Sequence, residues 1–120
     1  MTRPAPRVVA LVRDLITASR IESAVVAAGG DWTRIDDVAG LRPAATVDLL
    51  IVDWGARRPG WDAAIAGWRD GAGDPPPLVI LFGPHTDLAA HADARAAGLG
   101  PMRARSAFFA SLPDLLNVDN

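Results

Sequence analysis

The stretch "VDLLIVDWG", residues 47–55, decides how the rest of the chain is read. Leu49, Leu50, Ile51 and Val52 are apolar without alternation, so both faces of the segment must be covered. A second run, "LVILF" at 78–82, has the same character. Paired runs of this kind mark the centre of a parallel sheet with helices on both sides. Asp53 ends the first of them, and a carboxylate at the end of a buried strand is costly unless it is paired or used.

Working outward, "RVVALV" at 7–12 is a further buried strand and "DWTRID" at 31–36 a weaker one. In the latter, Trp32 and Arg34 point to one side and Thr33 and Ile35 to the other. "PMRAR" at 101–105 is the last strand. After the first strand, Asp14 can cap a helix with Leu15, Ile16, Ile21, Val25 and Ala28 on one face, stopped by Gly29 and Gly30. "DVAGLRPAAT" at 37–46 has room for barely two helical turns, broken by Gly40 and Pro43. Trp61, Ala64, Ile65 and Trp68 form the stripe of a short helix that packs on the sheet. Thr86 or Asp87 can start an alanine-rich helix ending at Gly98, and Ser106 can cap a last one interrupted by Pro113. The expected fold is α/β: a five-stranded, doubly wound, flavodoxin-like parallel sheet in the order 2-1-3-4-5, with a shortened second helix. Its expected bounds are a single domain over residues 7–117, between a disordered lead-in at 1–6 and a frayed tail at 118–120.

Composition narrows the function classes. The chain has 120 residues and a formal net charge of -2, without the basic excess of a nucleic-acid surface. Its apolar runs are too short for a membrane span, and the expected compartment is the cytoplasm. There is no cysteine, which removes disulfides and thiolate chemistry. All 12 basic residues are arginine, so lysine chemistry is absent as well. No glycine-rich loop follows the first strand and no G-x-S-x-G elbow occurs, which argues against a dinucleotide site and a hydrolase. His85 and His91 are six residues apart, a poor spacing for a pair of metal ligands.

Ligands of such sheets sit at the carboxyl ends of the strands. There the chain offers Arg13 and Asp14, Asp53 and Trp54, Phe82 and Gly83, and Arg105 and Ser106. In this order and spacing the chain resembles a response-regulator receiver domain over residues 7–116. "VDLLIVD" is similar to the "PDLVLLD"-like segment carrying that family's phospho-accepting aspartate, and "AAGLGPMRARS" is similar to its lead-in to the last strand.

The resemblance puts Asp53 at the phospho-acceptor position. It also implies departures. The acidic pair that holds Mg²⁺ is here Arg13 and Asp14, the hydroxyl position is Phe82 followed by Gly83, and the lysine is Arg105 followed by Ser106 in place of proline. The switch aromatic falls on Met102. Asp14 and Asp53 are the two carboxylates left for Mg²⁺, and Arg13 is expected to pair with one of them. The expectation is therefore a degenerate, pseudo-receiver variant. It is not an enzyme, needs no cofactor, and acts in signalling through a protein partner or self-association. The candidate contact residues are Trp54, His91, Arg95, Arg103 and Phe108. Two other readings stay open: an atypical response regulator still phosphorylated on Asp53, and a small anion-binding module or enzyme that uses Arg13 and Arg105 at the same rim.

Overall fold

A computed structural model describes residues 5–117. Its sheet has five parallel strands, β1 (Arg7–Leu11), β2 (Asp31–Ile35), β3 (Leu49–Asp53), β4 (Leu78–Gly83) and β5 (Met102–Ala104), in the order β2-β1-β3-β4-β5. Four helices pack on the sheet: α1 (Leu15–Ala27), α2 (Trp61–Asp70) and α3 (Leu88–Ala96) connect β1 to β2, β3 to β4 and β4 to β5, and α4 (Arg105–Leu115) follows β5. The expected order of the sheet is the observed one.

The pleat sorts the apolar runs into two cores. Val9, Leu11, Leu50, Val52 and Leu81 face α2 and α3, where they meet Trp61, Ile65, Ala90 and Ala94. Val8, Ala10, Leu49, Ile51, Ile80 and Phe82 face α1 and α4, where they meet Ile21, Val25, Phe108 and Leu112. Successive residues of β3 thus serve opposite cores, which is why that strand has no polar alternation.

Several local expectations change. The shortened second helix is not an α-helix: Val38–Gly40 and Ala44–Thr46 are single 3₁₀ turns on either side of Pro43. The tryptophans of α2 fasten this thin segment. Trp61 donates to Asp37 Oδ1 at 2.8 Å and Trp68 to the Arg42 carbonyl at 2.6 Å. The inner face of α1 is Thr17, Ala18, Ile21 and Val25, whereas Leu15 and Ile16 are 66% and 77% exposed. The 3.6-residue period admits both stripes, and only contact with the sheet chooses between them. Asp87, not Thr86, caps α3 through the Ala90 N–H. Arg105 is the first residue of α4 rather than the end of the strand, and Ser106 lies inside the helix without capping it. Pro113 is accommodated within α4.

Residues 1–4 of the expected lead-in and the tail at 118–120 lie outside the described residues. Pro6 is tied to the domain, its carbonyl accepting from the Asp31 N–H at 2.8 Å.

Candidate functional site

The carboxyl ends of the strands bring Asp14, Asp53 and Arg105 to one rim. Asp14 follows β1 and caps α1. Its carboxylate accepts from the N–H groups of Ile16 and Thr17, both at 3.3 Å, and from the Thr17 hydroxyl at 2.5 Å. The Thr17 hydroxyl bond holds the Asp14 carboxyl below the usual carboxylate range, outweighing the opposing effect of burial, with smaller help from the two N–H groups and the Arg105 charge. Thr17 is buried and its hydroxyl in turn accepts from Arg105 Nη2. Arg105 Nη2 lies 3.9 Å from Asp14 Oδ2. Arg105 leaves the last strand, crosses the rim and settles on α1.

Asp53 ends β3 half-buried. Burial pushes its carboxyl up, the nearby Asp14 charge adds to this, and the Arg105 charge and the N–H groups of Ala56 and Gly55 offset it in part. Arg13, the expected counter-ion, is exposed and makes no ion pair or hydrogen bond among the described residues. At that position the chain turns into the cap of α1, and the next residue, Asp14, is the one taken into the rim.

Phe82 is not a rim residue. It lies next to Asp53 in register, but its ring is fully buried on the α4 side, stacked on Phe108 at 4.6 Å and edge-on to Phe109 at 6.0 Å. It supports the rim from below, with the Arg105 guanidinium 5.5 Å from its centroid and 5.9 Å from that of Phe109. Phe108 is likewise core rather than contact surface. Trp54, expected as a contact residue, is fully buried, and its indole N–H donates to the Ala90 carbonyl at 3.0 Å. It ties the end of β3 to α3.

Gly83 also has a packing role. A Cβ there would lie 2.8 Å from Met102 Sδ and 3.1 Å from the Gly55 N, so only glycine lets the loop after β3 close against β4. Of the other contact candidates, Arg95 and Arg103 are exposed. His91 is half-exposed, with its Nε2 at 2.9 Å from the His85 carbonyl. The described residues contain no cluster of three or more carboxylate or histidine side chains suited to a metal.

The residue missed in the sequence is Thr17, which links Asp14 to Arg105. The Asp-x-x-Thr spacing at a helix start is the signal that could have found it. Arg57 was missed as well. It pairs with Asp93 at 2.5 Å and donates to the Trp54 carbonyl at 3.2 Å, closing one wall of a cavity of about 390 Å³ beside the rim.

Mg²⁺ prefers an octahedron of oxygens from one or two carboxylates and several waters. Here both oxygens of Asp14 are taken up in capping, and a guanidinium stands beside them. The donor set does not fit the ion.

The strand order, the helix on each side and the placement of Asp53 at the end of the third strand decide the architecture. The fold is that of a response-regulator receiver. Two solved structures share this receiver fold. An orphan response regulator of H. pylori superposes with a TM-score of 0.67 at 13% identity, over 98% of this chain and 96% of the other. A pilus assembly-related protein of Burkholderia pseudomallei superposes with a TM-score of 0.66 at 19% identity, over 95% and 88%. No protein-family model and no curated protein sequence matches the chain. At these identities the likeness is one of fold. No helix among the described residues is long and apolar enough to cross a membrane.

Proposed function

We propose that the chain is a receiver-like regulatory domain that works by binding another protein, without Mg²⁺-dependent phosphorylation of Asp53 and without catalysis of its own. One observation carries this reading. The two groups that would have to serve a phosphoryl group and its cation, Asp14 and Arg105, are bound to each other through Thr17. Asp53 is left half-buried with no ion pair and no hydrogen bond to another side chain among the described residues, and burial pushes its carboxyl up. The shared fold with a response regulator supports a role in signalling, and a cytoplasmic setting goes with it.

The contact surface on this reading is the face of α3, β5 and α4. Its exposed guanidinium groups, Arg95 and Arg103, have no ion pair among the described residues and suit an acidic partner.

Incubation with acetyl phosphate and Mg²⁺ followed by intact mass spectrometry tests the reading. The expected result is no gain of a phosphoryl group. A gain that Asp53→Asn abolishes would replace it with that of a phosphorylated response regulator.

A further inference from the structure

The strand β2 forms one edge of the sheet. Asp31 turns its main chain toward β1, its N–H donating to the Pro6 carbonyl at 2.8 Å. By alternation Thr33 and Ile35 do the same, in a register with β1 that runs unbroken from Asp31 to Ile35. The main-chain N–H and C=O groups of Trp32 and Arg34 therefore point outward, and they have no partner among the described residues. Sheet edges are ordinarily guarded by lysine, proline, a bulge or short length. The opposite edge, β5, is three residues long and follows Pro101. The five residues of β2 carry none of these guards. Arg34, the cation on this edge, is turned away onto the Val12 carbonyl at 3.2 Å and onto Asp36. The two 3₁₀ turns that stand in for a second helix leave a cavity of about 170 Å³ beside Thr33, lined also by Val9, Arg42 and Thr46.

The free edge is complementary to itself. A second β2 laid antiparallel about Thr33 sets Thr33 opposite Thr33, Trp32 opposite Arg34 and Asp31 opposite Ile35. Each outward N–H of one copy then meets an outward C=O of the other, and no like charges stand opposite. We infer that the chain pairs through β2 with a second copy of itself, antiparallel and centred on Thr33, so that two sheets become one. The interface is isologous, as a two-fold axis requires. It lies at the edge remote from the face of α3, β5 and α4, and it goes beyond the proposed function.

A contact of one short strand is small, so the association is weak. The test is sedimentation equilibrium of the whole chain from about 10 to 1000 µM. The average mass should rise from 12.6 kDa toward twice that value. Thr33→Glu and Thr33→Lys each place like charges directly opposite and should weaken the dimer at least about tenfold, and mixing the two variants should restore it. Arg103→Glu, on the remote face, should leave it unchanged. A wild type that stays monomeric across the range overturns the inference. So does a dimer that either charge at Thr33 leaves intact, that the mixture fails to restore, or that Arg103→Glu removes. Circular dichroism confirms folding, and Thr33→Cys is the second measurement should the charges unfold the chain. The chain has no cysteine of its own, and side chains directly opposite at a pair of this kind are close enough to bridge. Oxidised glutathione should link Thr33→Cys into a covalent dimer well before it links Asp70→Cys on the exposed side of α2. No link at Thr33→Cys, or equal rates for the two, overturns the pairing and leaves the proposed contact face of α3, β5 and α4 untouched.

Discussion

Asp48 lies just before β3 and Asp53 ends it, so one short strand carries a carboxylate at each end of the sheet. At the lower end Asp48 has a dedicated partner on the neighbouring strand. Arg7 donates its backbone N–H at 2.8 Å and two guanidinium bonds at 3.1 and 2.9 Å. The Arg7 side-chain bonds hold the Asp48 carboxyl below the usual range, outweighing burial. At the upper end burial outweighs everything else and pushes Asp53 up. The guanidinium whose charge offsets this in part, that of Arg105, is bonded to Thr17 and lies beside Asp14. The same residue type in the same strand is therefore a clamp at one end and an electrostatic cost at the other. Asp48 is given a partner, whereas Asp53 is left half-buried without one of its own, at the end of the sheet where ligands of such folds sit.

The largest expected effect is on what supports the upper end. Phe82→Ala removes the stack with Phe108 and the ring beneath Arg105, and should cost about 3–5 kcal/mol in denaturant unfolding. A cost below about 1 kcal/mol would mean that the rim does not depend on this packing. The lower clamp comes next. Asp48→Ala should destabilise by no more than about 1 kcal/mol at neutral pH, because the pair is exposed and screened. Asp48 has a lowered carboxyl when folded, so its contribution is present above the unfolded value and is lost as the pH falls through the folded one. The wild type and Asp48→Ala should therefore converge in acid, and a gap unchanged at low pH would deny the clamp.

The smallest effect has the opposite sign. Asp53 has a raised carboxyl when folded, so the native state holds its proton longer than the unfolded chain. Stability is lost as the pH rises from the ordinary carboxylate value through the raised one. Asp53→Asn removes that loss and should lift the thermal midpoint by about 1–3 °C at neutral pH. A fall instead would mean that the ionised form is stabilised, and the contrast between the two ends would disappear.

Much of this was legible in the residues. The unalternating runs at 49–52 and 78–82 announce central parallel strands, and the order of elements leaves little room for another sheet. The Asp14 cap and the Trp61/Ile65 stripe also stand as read, because both depend on local spacing alone. Where two helical stripes compete, local spacing is not enough: Leu15 and Ile16 are as apolar as Ile21 and Val25, yet they face solvent. Aromatic side chains at strand ends were misplaced for a related reason. Whether Trp54 and Phe82 turn up to the rim or down into a core depends on the pleat and on what the next helix presents. Here Ala90 and Phe108 draw them inward.

By itself the sequence determined the strands, their parallel order and the presence of Asp14, Asp53 and Arg105 at one edge. Hydrophobic period and chain connectivity are properties of neighbours along the chain. Only the tertiary structure decided which charges meet. Arg13 and Arg105 are equivalent cations on paper. The start of α4 points Arg105 at Thr17 and Asp14, while the turn into α1 leaves Arg13 in water. Pairing depends on directions across the sheet over a few ångströms, and no spacing along the chain encodes them.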